Sequence, residues 1–323
     1  MSEIEFRAAI REALDEELAR DERVIFFGED VAVTPGLHDR HGGERVFDTP
    51  ISELAMTGAA YGAAVCGLRP VLEIMFGDFL PLSMDCLVNQ AAKFLFLDGE
   101  HGCPLVIRCV VGAGGRFGAI HSQMPIAWFD GVPGIKLVAP STPADAKGLL
   151  LSAIRDDNPV VVFEHKRLYS IKGETGAEAI PLGRAAVVRA GADVTIVSAM
   201  KGVHDSLAAA EQLAPQGVEA EVIDLRTIRP FDVETLLASV ARTNRLVVVE
   251  EGPLTGGWAA EILARVTEHA LGDLDDAWRI TTADAVIPYS PPLEDAFLPG
   301  VERIVAEVLA RVAAAPVTAA IGS

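Results

Sequence analysis

The sequence lacks three features that would assign it to common protein classes: clustered positive charge, a long apolar run and paired cysteines. Its 27 lysine and arginine residues face 46 acids, which gives a net charge of −19. Binding of nucleic-acid phosphates needs clustered lysine and arginine, so no nucleic-acid partner is expected. No apolar run approaches the roughly 20 residues that span a bilayer, so no membrane association is expected either.

The cysteines give no sign of a zinc or redox site, because none forms a Cys-x-x-Cys pair. They are Cys66, Cys86, Cys103 and Cys109. Each lies in an apolar or amphipathic stretch, so we expect four buried, free thiols in a reducing cytoplasm, with a disulfide or a metal as the alternative. The first residues lack a basic region followed by an apolar core, so no secretory signal is expected.

Small apolar side chains are abundant: half of the residues are hydrophobic, but only 6% are aromatic. This composition is typical of parallel sheets covered by closely packed helices. Buried strand patterns alternate with amphipathic helix patterns in two successive series. The sequence therefore predicts an α/β protein with two doubly wound, mainly parallel-sheet domains, residues 1–175 and 190–323. The pattern lapses between residues 170 and 184, and the predicted linker is 176–189.

Several local patterns predict individual elements. Apolar side chains spaced four residues apart predict an amphipathic helix over 5–20. Two more helices are predicted over 82–97 and 143–155. The charged, glycine-rich segment 29–44 is predicted to be a loop, and segment 286–294 an extended stretch stiffened by its prolines.

A single acid stands at the start of a long small-residue segment. Glu53 ends the run Asp-Thr-Pro-Ile-Ser-Glu and precedes residues 54–67, which are rich in alanine and glycine. Ser52 or Thr49 can cap the helix that this pattern predicts, with Glu53 in its first turn. A buried acid at this position would have a raised pKa and could exchange protons. The alternative is that Glu53 only interacts favourably with the helix dipole.

Two further residues follow strands of the same predicted sheet. Phe79 comes after one strand, and His121 ends the glycine-rich loop after the next. Ligands bind at the carboxyl edge of such sheets, so Glu53, Phe79 and His121 are the candidate site residues. Taken singly, Phe79 is typical of a core aromatic residue and His121 of a surface loop.

The glycine-rich loop also raises the question of a dinucleotide site. Gly112-x-Gly114 follows a strand, and Asp130 lies near the position of a ribose-binding acid. Phe117 replaces the third glycine and no helix follows directly, so this hypothesis is not favoured. Phosphate-binding P-loops, nucleophile elbows and zinc-binding His-Glu-x-x-His helices are absent from the sequence.

Seven runs of the sequence, in order, resemble one enzyme family. They are Gly-Glu-Asp-Val at 28–31, Asp-Thr-Pro-Ile-Ser-Glu at 48–53, Gly-Leu-Arg-Pro at 67–70, Asn-Gln-Ala-Ala-Lys at 89–93, His-Ser-Gln at 121–123, Pro-Ser-Thr-Pro-Ala-Asp-Ala-Lys-Gly-Leu-Leu at 140–150 and Tyr-Ser-Pro-Pro-Leu-Glu at 289–294. The chain resembles the beta subunit of the thiamine-diphosphate-dependent decarboxylase component of 2-oxo acid dehydrogenase complexes. That group serves pyruvate, branched-chain 2-oxo acids and acetoin.

The resemblance implies a pyrimidine-binding thiamine-diphosphate domain followed by a transketolase C-terminal-like domain. Glu53 matches the glutamate that hydrogen-bonds the aminopyrimidine ring of the cofactor, and Phe79 the aromatic residue that stacks on that ring. His121 matches the active-site histidine near the substrate carboxylate and the acyl acceptor. Arg116, Phe117 and Ile120 depart from the best-known members, which leaves the substrate open between a 2-oxo acid and acetoin.

The resemblance also implies a possible potassium ion, which some members hold with main-chain oxygens and one acid. The matching positions are Leu105, Ala153, Asp156 and Asn158. A solvated turn favours the same residue types and is the alternative.

A missing motif implies a partner. The family binds Mg²⁺ and diphosphate on its alpha subunit, through a Gly-Asp-Gly run followed by an asparagine, and this sequence has no such run. The resemblance therefore implies an alpha2beta2 heterotetramer with a shared site. It also implies docking of the C-terminal domain on the lipoyl-bearing acyltransferase core, and residues 190–323 carry 20 acids against 9 basic residues, a net charge of −11.

Two other functions stay open from the sequence. A split transketolase uses a similar pair of domains on sugar phosphates, and it should offer basic residues to the phosphate. Arg116 is the main basic residue in the identifiable pocket stretches. A catalytically idle assembly subunit is the non-enzymatic alternative, although the joint presence of Glu53, Phe79 and His121 argues against it.

Overall fold

The computed structural model describes residues 3–29, 35–176 and 178–312. Its strands are β1 (Glu3–Glu5), β2 (Val24–Gly28), β3 (Val46–Asp48), β4 (Arg69–Ile74), β5 (Val106–Val111), β6 (Lys136–Val138), β7 (Val160–His165), β8 (Lys172–Glu174), β9 (Ala186–Arg189), β10 (Val194–Ser198), β11 (Ala220–Asp224), β12 (Thr227–Arg229), β13 (Arg245–Pro253) and β14 (Asp276–Thr282). Its α-helices are α1 (Phe6–Arg20), α2 (Leu37–His41), α3 (Glu53–Val65), α4 (Phe94–Asp98), α5 (Ile126–Asp130), α6 (Pro143–Arg155), α7 (Lys201–Leu213), α8 (Val233–Thr243), α9 (Trp258–Ala270), α10 (Pro291–Phe297) and α11 (Val301–Val312).

The first large sheet has the strand order β12-β6-β7-β5-β4-β2-β3. All of its neighbouring strands are parallel except β12, which pairs antiparallel with β6. The central strands β4 and β7 are buried at every residue, as expected where both faces of a parallel sheet are covered.

The second large sheet has the order β14-β13-β10-β11-β9, with β9 antiparallel to β11 and the other pairs parallel. The predicted fold class, two α/β domains with mainly parallel sheets, is confirmed.

Strands β9 and β12 modify the predicted division of the chain. Strand β9 lies within 176–189, the predicted linker, and forms the edge of the second sheet. Strand β12 follows β11 in sequence but pairs with β6 of the first sheet. Such short edge strands carry little hydrophobic pattern of their own, so neither was predicted.

Helices α1 and α6 pack on one another and behave as predicted. The apolar positions of α1 are buried, including Phe6, Leu14 and Leu18. Helix α6 begins with a capping box, in which Thr142 and Asp145 bond each other's backbone amide.

Three predicted elements differ in part from the structure. Residues 82–97 form no single regular helix but a 3₁₀ turn over Gly77–Ser83, a π-helical turn over Asp85–Gln90, a 3₁₀ turn over Ala91–Lys93 and then α4. The predicted loop 29–44 contains α2, although residues 30–34 lie outside the described part. The predicted extended segment 286–294 instead runs into α10, since proline is well suited to the first turn of a helix.

The cysteines differ from expectation at one position. All four are free, and Cys86, Cys103 and Cys109 are buried, but Cys66 is exposed at the end of α3. Among the described residues, no helix combines the length and the apolar character needed to cross a membrane.

Candidate active site

The candidate site lies at the carboxyl edge of the first sheet. Glu29 follows β2, Glu53 follows β3, Phe79 follows β4 and His121 lies in the loop after β5. Parallel strands end at the same edge, which brings these loops together. The structure pairs Glu53 with Glu29, and Phe79 with His121, in two contact groups described below.

Glu53 is the first residue of α3 and is only 6% exposed. The predicted cap bonds are absent: the Ser52 hydroxyl donates to the Pro50 carbonyl at 3.0 Å, and the buried hydroxyl oxygen of Thr49 has no hydrogen-bond partner. The Thr57 hydroxyl instead donates to the Glu53 carbonyl at 2.7 Å. The carboxylate of Glu53 thus sits at the positive end of the helix dipole without competition from a capping side chain.

Glu29 is a site residue that the sequence reasoning missed. Burial raises its pKa to about 7, and the negative charge of Glu53 and a hydrogen bond to Glu53 contribute in the same direction. Two adjacent carboxyl groups resist being ionised together, so the pair retains a proton up to neutral pH. The sequence did hold one indication of this role: Glu29 directly follows a buried strand, and that strand ends at the same sheet edge as the strand before Glu53.

The second contact group consists of Phe76 and Phe79, whose rings both meet the ring of His121. The His121 ring meets Phe76 edge-on at 4.4 Å between centroids and Phe79 at 5.7 Å. All three side chains are partly exposed, so they line the surface of the site rather than the core. Phe79 therefore combines a flat apolar face with direct contact to the histidine.

Lys166 was also missed, and it lies at the end of β7 beside this group. Its ammonium group donates to the main-chain carbonyl of His121 and lies 5.7 Å from the Phe76 ring centroid. Burial lowers its pKa, against the opposing charges of Asp78 and Glu251. A lysine directly after a buried strand at this edge was the only signal in the sequence.

The loop from Gly112 to Gln123 has a left-handed backbone at several residues. Gly112 has φ 93°, and a Cβ atom there would lie 2.3 Å from the Nε2 atom of His165. Gly118 has φ 67°, and its Cβ atom would lie 2.2 Å from the Tyr289 ring. The glycines are therefore needed because the loop turns tightly and packs directly against neighbouring rings. This accounts for the Gly-x-Gly pattern without a dinucleotide.

The charge of Arg116 is paired with acids of the second domain. Its guanidinium group pairs with Glu294 at 2.6 Å and with Asp295 at 2.7 Å, both in the second domain. These two acids compete with a substrate phosphate for the Arg116 guanidinium group.

The four positions matched to a potassium site lie around one corner of the first domain. The Leu105 carbonyl accepts from the Val160 amide at 2.9 Å, and the Ala153 carbonyl from the Asp156 amide at 3.2 Å. The Asp156 carboxylate accepts from the Asn158 amide at 2.9 Å and also pairs with a lysine. In the described part of the chain, no three His, Cys, Asp or Glu side chains form a metal-binding group.

Comparison with known proteins places this architecture in a family. Residues 2–172 match the family model for the transketolase pyrimidine-binding domain, and residues 183–304 match that for the transketolase C-terminal domain. The chain is 46% identical to the acetoin:2,6-dichlorophenolindophenol oxidoreductase subunit beta of Cupriavidus necator, over 94% of this chain and 96% of that one. The chain belongs to the transketolase-like family.

Other members support a narrower grouping within the transketolase-like family. The chain is 45% identical to the mitochondrial pyruvate dehydrogenase E1 component subunit beta of Dictyostelium discoideum and 44% identical to the human one, over 94% of this chain and 89% of each relative. A solved structure described as a split gene transketolase, inactive beta4 tetramer, has a TM-score of 0.81 at 21% identity, covering 96% of this chain and 98% of that one. The last likeness shows the fold alone. The predicted resemblance to dehydrogenase beta subunits is confirmed.

Proposed function

We propose that the chain is the beta subunit of a thiamine-diphosphate-dependent dehydrogenase that decarboxylates a 2-oxo acid and passes the acyl group to lipoyl. The observation that carries the proposal is that Glu29, Glu53, Phe79 and His121 gather at one edge of the first sheet, with the pKa of Glu29 raised to about 7, in a chain that is 44–46% identical to pyruvate and acetoin oxidoreductase subunits.

The residues present fit the pyrimidine end of this cofactor. Glu53 is buried next to Glu29, where its carboxyl group can hydrogen-bond a ring nitrogen and exchange a proton with it. Phe79 offers a flat apolar face for an aromatic ring. Thiamine diphosphate, when bound, supplies a thiazolium carbon that acts as the nucleophile. This chain's part is to orient the ring and to present the Glu53 carboxyl group to it.

His121 and Lys166 supply the polar groups near the proposed substrate. The His121 imidazole can donate a hydrogen bond to a carboxylate or a carbonyl oxygen. The Lys166 ammonium is partly buried and adds positive charge that attracts an anionic 2-oxo acid. Cleavage of acetoin, which carries no charge, is the second candidate, and the 46% identity to an acetoin oxidoreductase subunit favours it. A split transketolase is not favoured, since Arg116 is engaged by two acids.

We further propose an alpha partner that supplies the Mg²⁺ and diphosphate site in an alpha2beta2 heterotetramer. Large apolar side chains near Glu53 support a protein contact there: Ile51 is 79% exposed, Leu54 55% and Leu82 54%. The acidic second domain would dock on the lipoyl acyltransferase core. A cytoplasmic location also remains a proposal, and the four free thiols are consistent with it.

Potassium is proposed at the corner formed by Leu105, Ala153, Asp156 and Asn158. A carbonyl oxygen has two lone pairs, so a carbonyl that accepts one amide hydrogen keeps capacity for a cation. The Arg69 guanidinium also donates to the Asp156 carbonyl at 2.8 Å, so bound potassium must share that oxygen with a positive group. Thermal unfolding in potassium chloride against matched sodium and choline chloride tests this: only a rise specific to potassium supports the ion.

The decisive experiment is capture of the chain from its own cells, native mass spectrometry of the complex and turnover assays with a panel of 2-oxo acids and acetoin. We expect a stoichiometric second chain with a Gly-Asp-Gly…Asn run and activity that requires thiamine diphosphate and Mg²⁺. Glu53→Gln should lower kcat by more than about 100-fold, because proton transfer is lost. The exposed Glu44→Gln variant is the matched control. Full activity of the Glu53→Gln complex would refute the proposal.

A further inference from the structure

Two carboxylates of the second domain hold the loop that carries His121. Glu294, in α10, accepts the Gly114 amide hydrogen at 2.9 Å and the Arg116 guanidinium at 2.6 Å. Glu251, in β13, accepts the Ala113 amide hydrogen at 2.5 Å. The Glu294 side chain is fully buried, so its carboxylate is committed to these partners.

Glu251 reaches the first domain a second time. Its other carboxylate oxygen lies 2.9 Å from the Nε2 atom of His165, at the end of β7. Burial disfavours the charge on Glu251, but the neighbouring His165 and the Ala113 amide lower its pKa below the ordinary value. Glu251 thus fixes the start of the loop to β7, and Glu294 fixes the next turn.

The loop backbone at Arg116 needs such support. Arg116 has φ 65°, a left-handed conformation that is unfavourable for a residue with a Cβ atom. Its guanidinium group is tied to Glu294 and Asp295, which hold this conformation in place. A strained residue clamped by a buried acid is typical of a segment whose geometry matters for a site.

Packing alone does not fix the loop. A cavity of about 330 Å³ separates its distal half from the second domain, with Ser122 on one side and Ile287 and Phe297 on the other. Phe117 is 48% exposed and Ile120 57% exposed, so neither anchors the loop in a core. Polar contacts therefore act together with the packing of the loop glycines in setting where the loop lies.

On the other side, the first domain holds the loop through the residues that follow β7. Lys166 donates to the His121 carbonyl, and Arg167 donates to the Gly114 carbonyl. Gly114 is therefore held at its amide by the second domain and at its carbonyl by the first. This double attachment lies seven residues before His121, at the point where the loop turns.

We infer that Glu294 is a positioning residue: through Gly114 and Arg116 it sets the loop conformation that places His121 against Phe76 and Phe79. This inference rests on the proposed role of His121. It differs from a purely structural role, because loss of Glu294 should release the loop while the second domain stays folded.

Hydrogen exchange of the full chain in its assembled complex tests the loop directly. We expect Glu294→Ala to speed exchange in peptides covering residues 112–123 by at least tenfold, with β10 and β11 unchanged. Glu294→Gln should have an intermediate effect, because an amide oxygen still accepts from Gly114 but loses the charge pair with Arg116. Glu302→Ala, an exposed acid in α11, is the control. Unchanged loop exchange in both Glu294 variants, or equal acceleration throughout the second domain, would overturn the inference.

Kinetics give the second readout. We expect Glu294→Ala to lower kcat at least tenfold with KM changed less than threefold, and Glu294→Gln to recover part of the loss. Unchanged kcat despite a released loop would overturn the link to His121. If the wild-type complex turns over none of the tested substrates, the proposed function fails, and the exchange experiment still decides whether Glu294 holds the loop.

Discussion

The carboxyl group of Glu29 is hydrogen-bonded to that of Glu53, and burial together with the Glu53 charge raises the pKa of Glu29 to about 7. The folded protein therefore binds this proton more tightly than the unfolded chain. The stability contributed by the proton is complete below the ordinary pKa of 4.5 and is lost as the pH rises through about 7. The arrangement keeps a proton on Glu29 near the site, and ionisation of Glu29 lowers the stability of the fold around neutral pH.

Glu29→Gln should remove that loss of stability, because the amide can still donate to Glu53 and never ionises. We expect the variant to match wild type near pH 4.5 and to be more stable at pH 8 by about 1 to 2 kcal/mol, a value reduced for partial exposure of the carboxyl group. Urea unfolding of the purified chain at both pH values measures this. The exposed Glu44→Gln serves as control, and an equal effect at both pH values would contradict the prediction.

Arg108 in β5 is buried between Glu73 and Glu164, at 2.6 and 2.7 Å. Arg108→Met should destabilise the protein by about 3 to 5 kcal/mol, because it leaves two acids in the core without their cation. Denaturant unfolding measures the loss. Arg23→Met removes an ion pair on the surface and should change stability by less than about 1 kcal/mol. Similar values for the two variants would contradict the prediction.

Gly118→Ala should lower activity by at least tenfold, because a Cβ atom would collide with the Tyr289 ring and force a left-handed residue to move. Gly62→Ala is the matched control in α3, where no atom lies within 4 Å of the added Cβ. Its isolated chain should gain up to about 1 kcal/mol from better helix propensity. Turnover and thermal unfolding of both variants check the prediction, and a fully active Gly118→Ala complex would show that the loop can adapt.

Phe79→Ala should raise the thiamine diphosphate concentration needed for half-maximal activity by about tenfold, since an aromatic contact of about 1.5 kcal/mol is lost. Leu271→Ala, at a 69% exposed position of the second domain, controls for a general effect of truncation. Titration of the purified complex with cofactor measures both. An unchanged cofactor requirement would assign Phe79 to support of His121 alone.

The parts of this protein that follow from local chemistry were predictable from its sequence. The apolar spacing in α1 and the capping residues that start α6 depend only on side chains within those segments. Glu53, Phe79 and His121 could be assigned to one sheet edge because the strands are parallel. Glu29 and Lys166 were missed because their importance depends on which loops meet across the sheet. That arrangement follows from the strand order, which no single segment of the sequence determines. The pairing of Arg116 was missed for the same reason, since its partners Glu294 and Asp295 lie in the other domain.

Strand β12 ties the folding of the first domain to residues that follow it in the second domain. Its residues follow β11 of the second domain, yet they cover β6, which would otherwise be the outer strand of the first sheet. A chain cut after residue 175 would leave the backbone groups of β6 open to pairing with other chains, a known route to aggregation. The first domain therefore depends on sequence that lies some fifty positions beyond its own end, and the two domains should be produced, and should evolve, as one unit.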